Sequence, residues 1–143
     1  MFLGEFSHSI DDKGRLAIPK KFRGQLAQPI VTRGLDNCLF VYTPQEWEIL
    51  AEKIKELPLT QANARSFVRM MFSGASECEV DKQGRIIIPQ YLREFAGIKK
   101  NVILAGLFNR IEIWAEDTWN TYKTGAEQQQ NAIAEQLAEF GIV

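Results

Sequence analysis

Apolar positions along the chain change their period several times, and each change marks an element. Residues 2–10 alternate, with Phe2, Phe6, His8 and Ile10 on one side, which predicts an extended strand. Residues 11–14 read as a turn, because aspartate bonds its own backbone and glycine supplies a positive φ. A returning strand starts at residues 15–18, and Pro19 then opens a short helix that ends near Gly24. Residues 31–33 and 39–42 form a strand pair bent around residues 34–37. Thr43, Pro44 and Glu46 supply a cap, a first-turn proline and a capping box for a helix to about Glu56. Pro58 and Leu59 break it, and a second helix is expected from Thr60 to Phe72, with Ser73 and Gly74 as its stop. Strand, turn, strand and short helix recur over residues 75–96, and two more strands reach Trp114. Glu116 and Asp117 place negative charge at the start of a third long helix. Residues 126–140 are helical, with Ile133, Leu137 and Phe140 on one face. Trp47, Leu50, Ile54, Phe67, Met70, Met71 and Phe72 are assigned to core or subunit contacts.

The recurrence is literal. Asp11, Gly14, Arg15 and Pro19 return as Asp81, Gly84, Arg85 and Pro89, so D-x-x-G-R-x-x-x-P occurs twice at an offset of 70. Arg23 and Arg93 keep that offset. At an offset of 72, Asn37 matches Asn109, Leu39 matches Ile111, Val41 matches Ile113 and Trp47 matches Trp119. Spaced identities with apolar positions kept apolar mark a duplicated supersecondary unit, and two copies make a duplicated domain rather than a solenoid. A surface built from the Asp, Gly and Arg of the pattern is then expected twice per chain.

A chain of 143 residues buries one moderate core, or two small ones packed together. Its 45% apolar and 24% charged content is that of a soluble globular protein. The longest apolar runs fall far short of a membrane span, and the N-terminus lacks the basic and apolar regions of a signal peptide. Cys38 and Cys78 make no metal-ligand spacing and are expected as small core residues. Net charge is −1, yet residues 1–33 carry six bases against three acids, while residues 111–143 carry one base against six acids. The N-terminal segment therefore suits a polyanion, and the tail repels one.

Gly14, Gly84, Pro19 and Pro89 read as turn geometry and punctuation, and Asp11 and Asp81 as ties across the turn. Arg15 and Arg85 carry two open readings. Each can fold back to bridge its aspartate, a contact worth little when exposed. Each can instead project its planar fork toward phosphate or a base edge. Lys13, Lys20, Lys21 and Arg23 tilt the first copy toward a polyanion. The second keeps Lys82, Arg85 and Arg93, but has Gln83, Gln90 and Tyr91 where the first has lysines, so the first is the better DNA face. No catalytic triad, phosphate-cradling glycine loop or metal cluster is legible. A hydrolase built on His8 or Cys78, the weakest reading, would lack its partner residues. No cofactor and no small-molecule substrate are expected.

The opening residues 1–6, both D-x-x-G-R motifs, residues 32–36 and residues 72–78 resemble the bacterial MraZ proteins. The likeness covers nearly the whole chain and weakens after about Tyr122. It implies an α+β fold with two tandem AbrB-like swapped-hairpin units, which form an intramolecular pseudo-dimeric barrel with linking and C-terminal helices. On that reading residues 1–57 hold the first repeat and its following helix, 58–74 the linking helix, 75–122 the second repeat and 123–143 the helical tail. The resemblance also implies a ring-shaped homo-oligomer in the cytoplasm, at the nucleoid. There it would repress the division and cell-wall operon through direct repeats in double-stranded promoter DNA. Asp11, Arg15, Asp81 and Arg85 are the family's motif positions in this chain. A scaffold or antitoxin-like module, its repeated arginines making subunit contacts, is the alternative.

Overall fold

Alternating segments become strands where the pattern puts them, but most of their partners lie across the repeat boundary. A computed structural model describes residues 1–142. The first half contributes β1 (Phe2–Ser9), β2 (Arg15–Ala17), α1 (Lys20–Arg23), β3 (Ile30–Arg33), β4 (Leu39–Tyr42) and α2 (Pro44–Lys55). After α3 (Ala62–Gly74) come β5 (Ser76–Glu77), β6 (Arg85–Ile87), α4 (Gln90–Phe95), β7 (Asn101–Phe108) and β8 (Ile111–Ala115). The chain then runs through α5 (Glu116–Gln128), α6 (Gln130–Gln136) and a 3-10 turn at Ala138–Phe140. The result is a mixed α+β fold with antiparallel sheets.

One sheet has the order β1-β7-β8-β4-β3-β5, and a separate ribbon pairs β2 with β6. The strand of the first half before its turn, β1, lies along β7 of the second half over its whole length, Phe2 opposite Phe108 to Ser9 opposite Asn101. Its counterpart β5 lies along β3 of the first half. The hairpin expected from β1, turn and β2 therefore does not close: beyond the single bridge between Ile10 and Leu16, β2 leaves β1 and pairs with β6.

Two registers reveal the internal symmetry. In the sheet, Phe40 faces Glu112, flanked by Leu39 opposite Ile113 and Val41 opposite Ile111. In the ribbon, Leu16 faces Ile86, flanked by Arg15 opposite Ile87 and Ala17 opposite Arg85. Each central pair joins a residue to its own repeat counterpart, so a pseudo-twofold axis runs through both.

The main core fills the space between ribbon and sheet. Leu16, Ile18, Phe22, Val31, Leu39, Ile86, Ile88, Leu92, Leu104, Ile111 and Ile113 are all sealed from solvent. Phe22 anchors α1 there, its ring edge-on to Phe2 at 5.3 Å and to Phe6 at 5.1 Å. Its counterpart Leu92 anchors α4. A second cluster, with Phe40, Tyr42, Ile54, Met71, Ile103 and Trp114, seals the opposite face of the sheet under α2 and α3. Trp47, Leu50 and Phe72 pack against it, while Phe67 and Met70 stay exposed.

Several boundaries differ from expectation. Thr43 caps α2, its hydroxyl accepting from the Glu46 N–H at 3.2 Å. The next helix begins at Ala62 rather than Thr60, because the Gln61 N–H bonds the Pro58 carbonyl in a turn and Gln61 itself is extended. It also continues through Ser73 and Gly74. Gly74 is therefore not a stop: a Cβ there would come within 2.8 Å of the Arg33 guanidinium, and the glycine lets α3 approach β3. The expected C-terminal helix is interrupted at Gln129, and α5 runs unbroken across residues 122 and 123.

Candidate nucleic-acid interface

The turn of each motif is built by its aspartate. Asp11 Oδ1 accepts from the backbone N–H groups of Lys13 (3.0 Å) and Arg15 (2.8 Å), while Oδ2 accepts from Arg15 Nε at 2.6 Å. Asp81 repeats the arrangement with Gln83 N–H (2.9 Å), Arg85 N–H (2.9 Å) and Arg85 Nε (3.0 Å). These donors, the arginine backbone N–H first among them, hold both carboxyls below the ordinary aspartate range. The ion pairs are part-exposed and add little stability. Their effect is geometric: the aspartate takes Nε, and the hydrogen bonds of each arginine within the described residues leave both Nη groups open.

The bridge to aspartate forms at both Arg15 and Arg85, through Nε, and it leaves each side chain on the surface. Alternation along the ribbon decides their direction. Leu16 and Ile86 point into the core, so Arg15, Ala17, Arg85 and Ile87 share the opposite, solvent-facing side. The arginine side chains keep 35% and 29% of their exposure, enough to reach a ligand. As diagonal neighbours on an antiparallel ladder they stand roughly 7–8 Å apart. The sequence predicts two separate faces; the ladder merges them into a single one, with both arginines on it.

The motif glycines hold the crossing. Gly14 (φ +83°) and Gly84 (φ +75°) sit in the left-handed region that favours glycine. A Cβ on Gly14 would lie 2.6 Å from the Ile88 carbonyl oxygen and 3.1 Å from Arg93 Nε; one on Gly84 would run into Arg23. Each glycine is therefore also a slot for the other half's arginine. Arg23 Nε donates to the Ile18 carbonyl (2.8 Å) and Arg93 Nε to the Ile88 carbonyl (3.0 Å), so both brace the ribbon ends. The ladder bonds Ile18 N–H to Gly84 O and Ile88 N–H to Gly14 O, both 2.8 Å, close the same junction. Arg23 also faces His8, whose pKa is lowered by burial and then by that charge.

Of the other basic candidates, Lys13 and Lys82 are exposed in the two turns, and Lys20 and Lys21 are exposed on α1 just beyond the buried Pro19. Their counterparts on α4 are turned to another use. Tyr91, where the first copy has Lys21, donates its hydroxyl to the Gly74 carbonyl at 2.9 Å. Arg33 stacks near Tyr91 (5.8 Å to the ring centroid) and Phe95 (6.0 Å), and donates to the Met70 carbonyl. Sequence reasoning missed Ala17 and Ile87 as members of the face; the alternation about the apolar Leu16 and Ile86 is the signal that finds them.

Cys38 and Cys78 are free and buried, and burial raises the pKa of each thiol. Among the described residues no group of three His, Cys, Asp or Glu could hold a metal, and no helix is long and apolar enough to cross a membrane.

Comparison with known proteins agrees with the internal repeat. A family model described as "MraZ protein, putative antitoxin-like" matches twice, over residues 1–70 and 71–140. The chain is 52% identical over 143 residues to a protein of Natranaerobius thermophilus, covering 99% of this chain and 100% of that one. It is 50% identical over 141 residues to one of Carboxydothermus hydrogenoformans (98% and 99% covered) and 51% identical over 143 residues to one of Ligilactobacillus salivarius (99% and 100%). Each of these relatives bears the name transcriptional regulator MraZ.

Proposed function

The chain belongs to the MraZ family, and on that premise we propose that it is a DNA-binding transcriptional regulator whose contact surface is the outer face of the β2–β6 ribbon. One observation carries the reading: two arginines from distant motifs converge on one two-stranded ribbon, each tethered at Nε with both Nη groups open. A two-stranded ribbon fits the DNA major groove, about 12 Å wide, and the arginine fork matches guanine N7 and O6 or a phosphate. Lys13 and Lys82 in the turns and Lys20 and Lys21 on α1 flank the ribbon as phosphate contacts. Arg23 serves this face indirectly, because its Nε is committed to the Ile18 carbonyl.

The family resemblance supports the finer reading. The strand exchange between halves fits a swapped-hairpin pseudo-dimer, with residues 1–57 and 75–122 as the two repeats, 58–74 linking them and 123–143 as a tail. The action is repression of the division and cell-wall operon from the cytoplasm, at the nucleoid. One face offers few cations, so a single chain binds DNA weakly and with strong salt dependence. A ring of identical faces engaging successive direct repeats would raise apparent affinity by roughly 10²–10⁴. The exposed apolar side chains Ile133, Leu137, Phe140 and Ile142 of the tail offer contact area for such assembly.

The test is duplex binding at fixed salt by Arg15→Ala and Arg85→Ala, with the assembly state checked by size-exclusion chromatography. Each variant is expected to lose roughly tenfold to a hundredfold in affinity, the worth of a bidentate base contact. Unchanged affinity with intact assemblies overturns the assignment. Broken assemblies in place of lost binding would favour the scaffold or antitoxin-like reading, in which the arginines join subunits.

A further inference from the structure

The crest of the ribbon carries a residue that the arginine pair does not explain. Ile87 is 58% exposed, an isoleucine on the solvent side of a strand, directly opposite Arg15 in the ladder. Its counterpart across the pseudo-twofold axis is Ala17, which occupies the same ladder position opposite Arg85. The backbone pairing is the same at both, so the fold has no need of a large apolar side chain there. A lone exposed apolar residue is ordinary on a protein surface. This one differs in its surroundings: it stands on a two-stranded ribbon beside both tethered arginines, next to the turn that carries Lys13.

We propose that Ile87 is a specificity-determining residue that packs on the 5-methyl group of a thymine in the major groove. The inference rests on the reading of the ribbon as the DNA face. Charge complementarity selects the occupant, because Arg15 and Arg85 flank the isoleucine and bring a polyanion to it. Chemistry selects the group: the thymine methyl is the apolar feature that a base pair presents in the major groove. The ribbon holds Ile87 by its ladder with Arg15, so the side chain arrives in a fixed register with the arginine forks. Ala17, with a single methyl, cannot reach as far. The two ends of the ribbon therefore read different bases even though the arginines are related by symmetry, and one chain gives its site a direction.

Replacing thymine by uracil removes the methyl and preserves every hydrogen-bonding group, so it isolates this contact. The probe is the tightest duplex selected from a pool with a random core, with each thymine replaced in turn by uracil. The full-length assembled protein should lose about fourfold in affinity at one thymine position per bound chain, the worth of one buried methyl. Ile87→Ala should bind the thymine duplex roughly tenfold more weakly and lose its sensitivity to uracil at that position. Ala17→Ile should gain a second uracil-sensitive position on the other side of the arginine contacts. Uracil sensitivity that is the same in wild type and Ile87→Ala, or absent in both, overturns the inference while leaving the ribbon as the DNA face. Failure of the wild type to bind any selected duplex overturns the reading of the face, and this inference with it.

Discussion

The two copies of the motif share a backbone and differ in what they carry. β2 and β6, the two aspartate-tied turns and the two glycine slots superpose through the pseudo-twofold axis, down to paired 2.8 Å ladder bonds at each ribbon end. The short helices that follow do not. α1 leaves Lys20 and Lys21 in solvent, whereas α4 docks through Tyr91 onto the end of α3 and beneath Arg33. The reason lies in the linker. α3 packs on β3 of the first half, and α4 abuts it there, so α4 needs an aromatic and a hydroxyl where α1 needs only water. The corresponding stretch after the second half, α6, buries no residue against the sheet and imposes no such demand on α1. Charge asymmetry between the copies therefore records where the linker docks.

This comparison can be broken by substitution. The largest effect is expected at the anchors: Phe22→Ala should cost about 3–5 kcal/mol by loss of a sealed aromatic and its two ring partners, and Leu92→Ala about 2–5 kcal/mol, both read by chemical denaturation. A much smaller loss at one anchor alone would show that the halves do not share a core.

Next come the glycines. Gly14→Ala meets a backbone carbonyl as well as the left-handed φ and should cost about 2–4 kcal/mol. Gly84→Ala meets the Arg23 side chain, which must give up its bond to the Ile18 carbonyl to make room, and should cost about 1–3 kcal/mol. Equal costs would mean that turn conformation, not the crossing, sets the requirement.

Tyr91→Phe removes one hydrogen bond to the Gly74 carbonyl and should cost about 1 kcal/mol in thermal denaturation, with DNA affinity unchanged. Lys20→Gln with Lys21→Gln should leave stability within about 0.5 kcal/mol. The same pair should weaken duplex binding alike for all sequences and lower the slope of log affinity against log salt by about one to two.

The smallest effect is in pH. Both aspartates have folded-state pKa values below their unfolded ones, so their contribution is complete above the ordinary aspartate range and is lost as pH falls through the lowered folded values. Asp11→Asn and Asp81→Asn should flatten the acid limb of the stability profile, each by a similar amount; a flattening at one site alone would break the symmetry of the turns.

Much of this was legible in advance, for local reasons. The aspartate and glycine of each turn, the Thr43 cap and the alternation in β4 act within a few residues, and sequence spacing reports such interactions directly. The start of α3 is not legible in the same way, because Thr60 has the character of a cap while the Pro58 carbonyl holds Gln61 in a turn. The convergence of Arg15 and Arg85 could not be read from spacing. Nor could the placement of Arg23 in the other half's glycine slot, because each pairs groups about 60 to 70 positions apart.

By itself the sequence determined that one unit occurs twice, where its turns fall and which side chains its turns tie down. Only the tertiary structure decided that the two units exchange strands, and so turn two motifs into one surface. The physical reason is that a strand carries its alternation locally, but its open N–H and C=O groups can pair with any neighbouring edge. The choice among edges falls to the arrangement that seals Leu16 and Ile86 together under the ribbon.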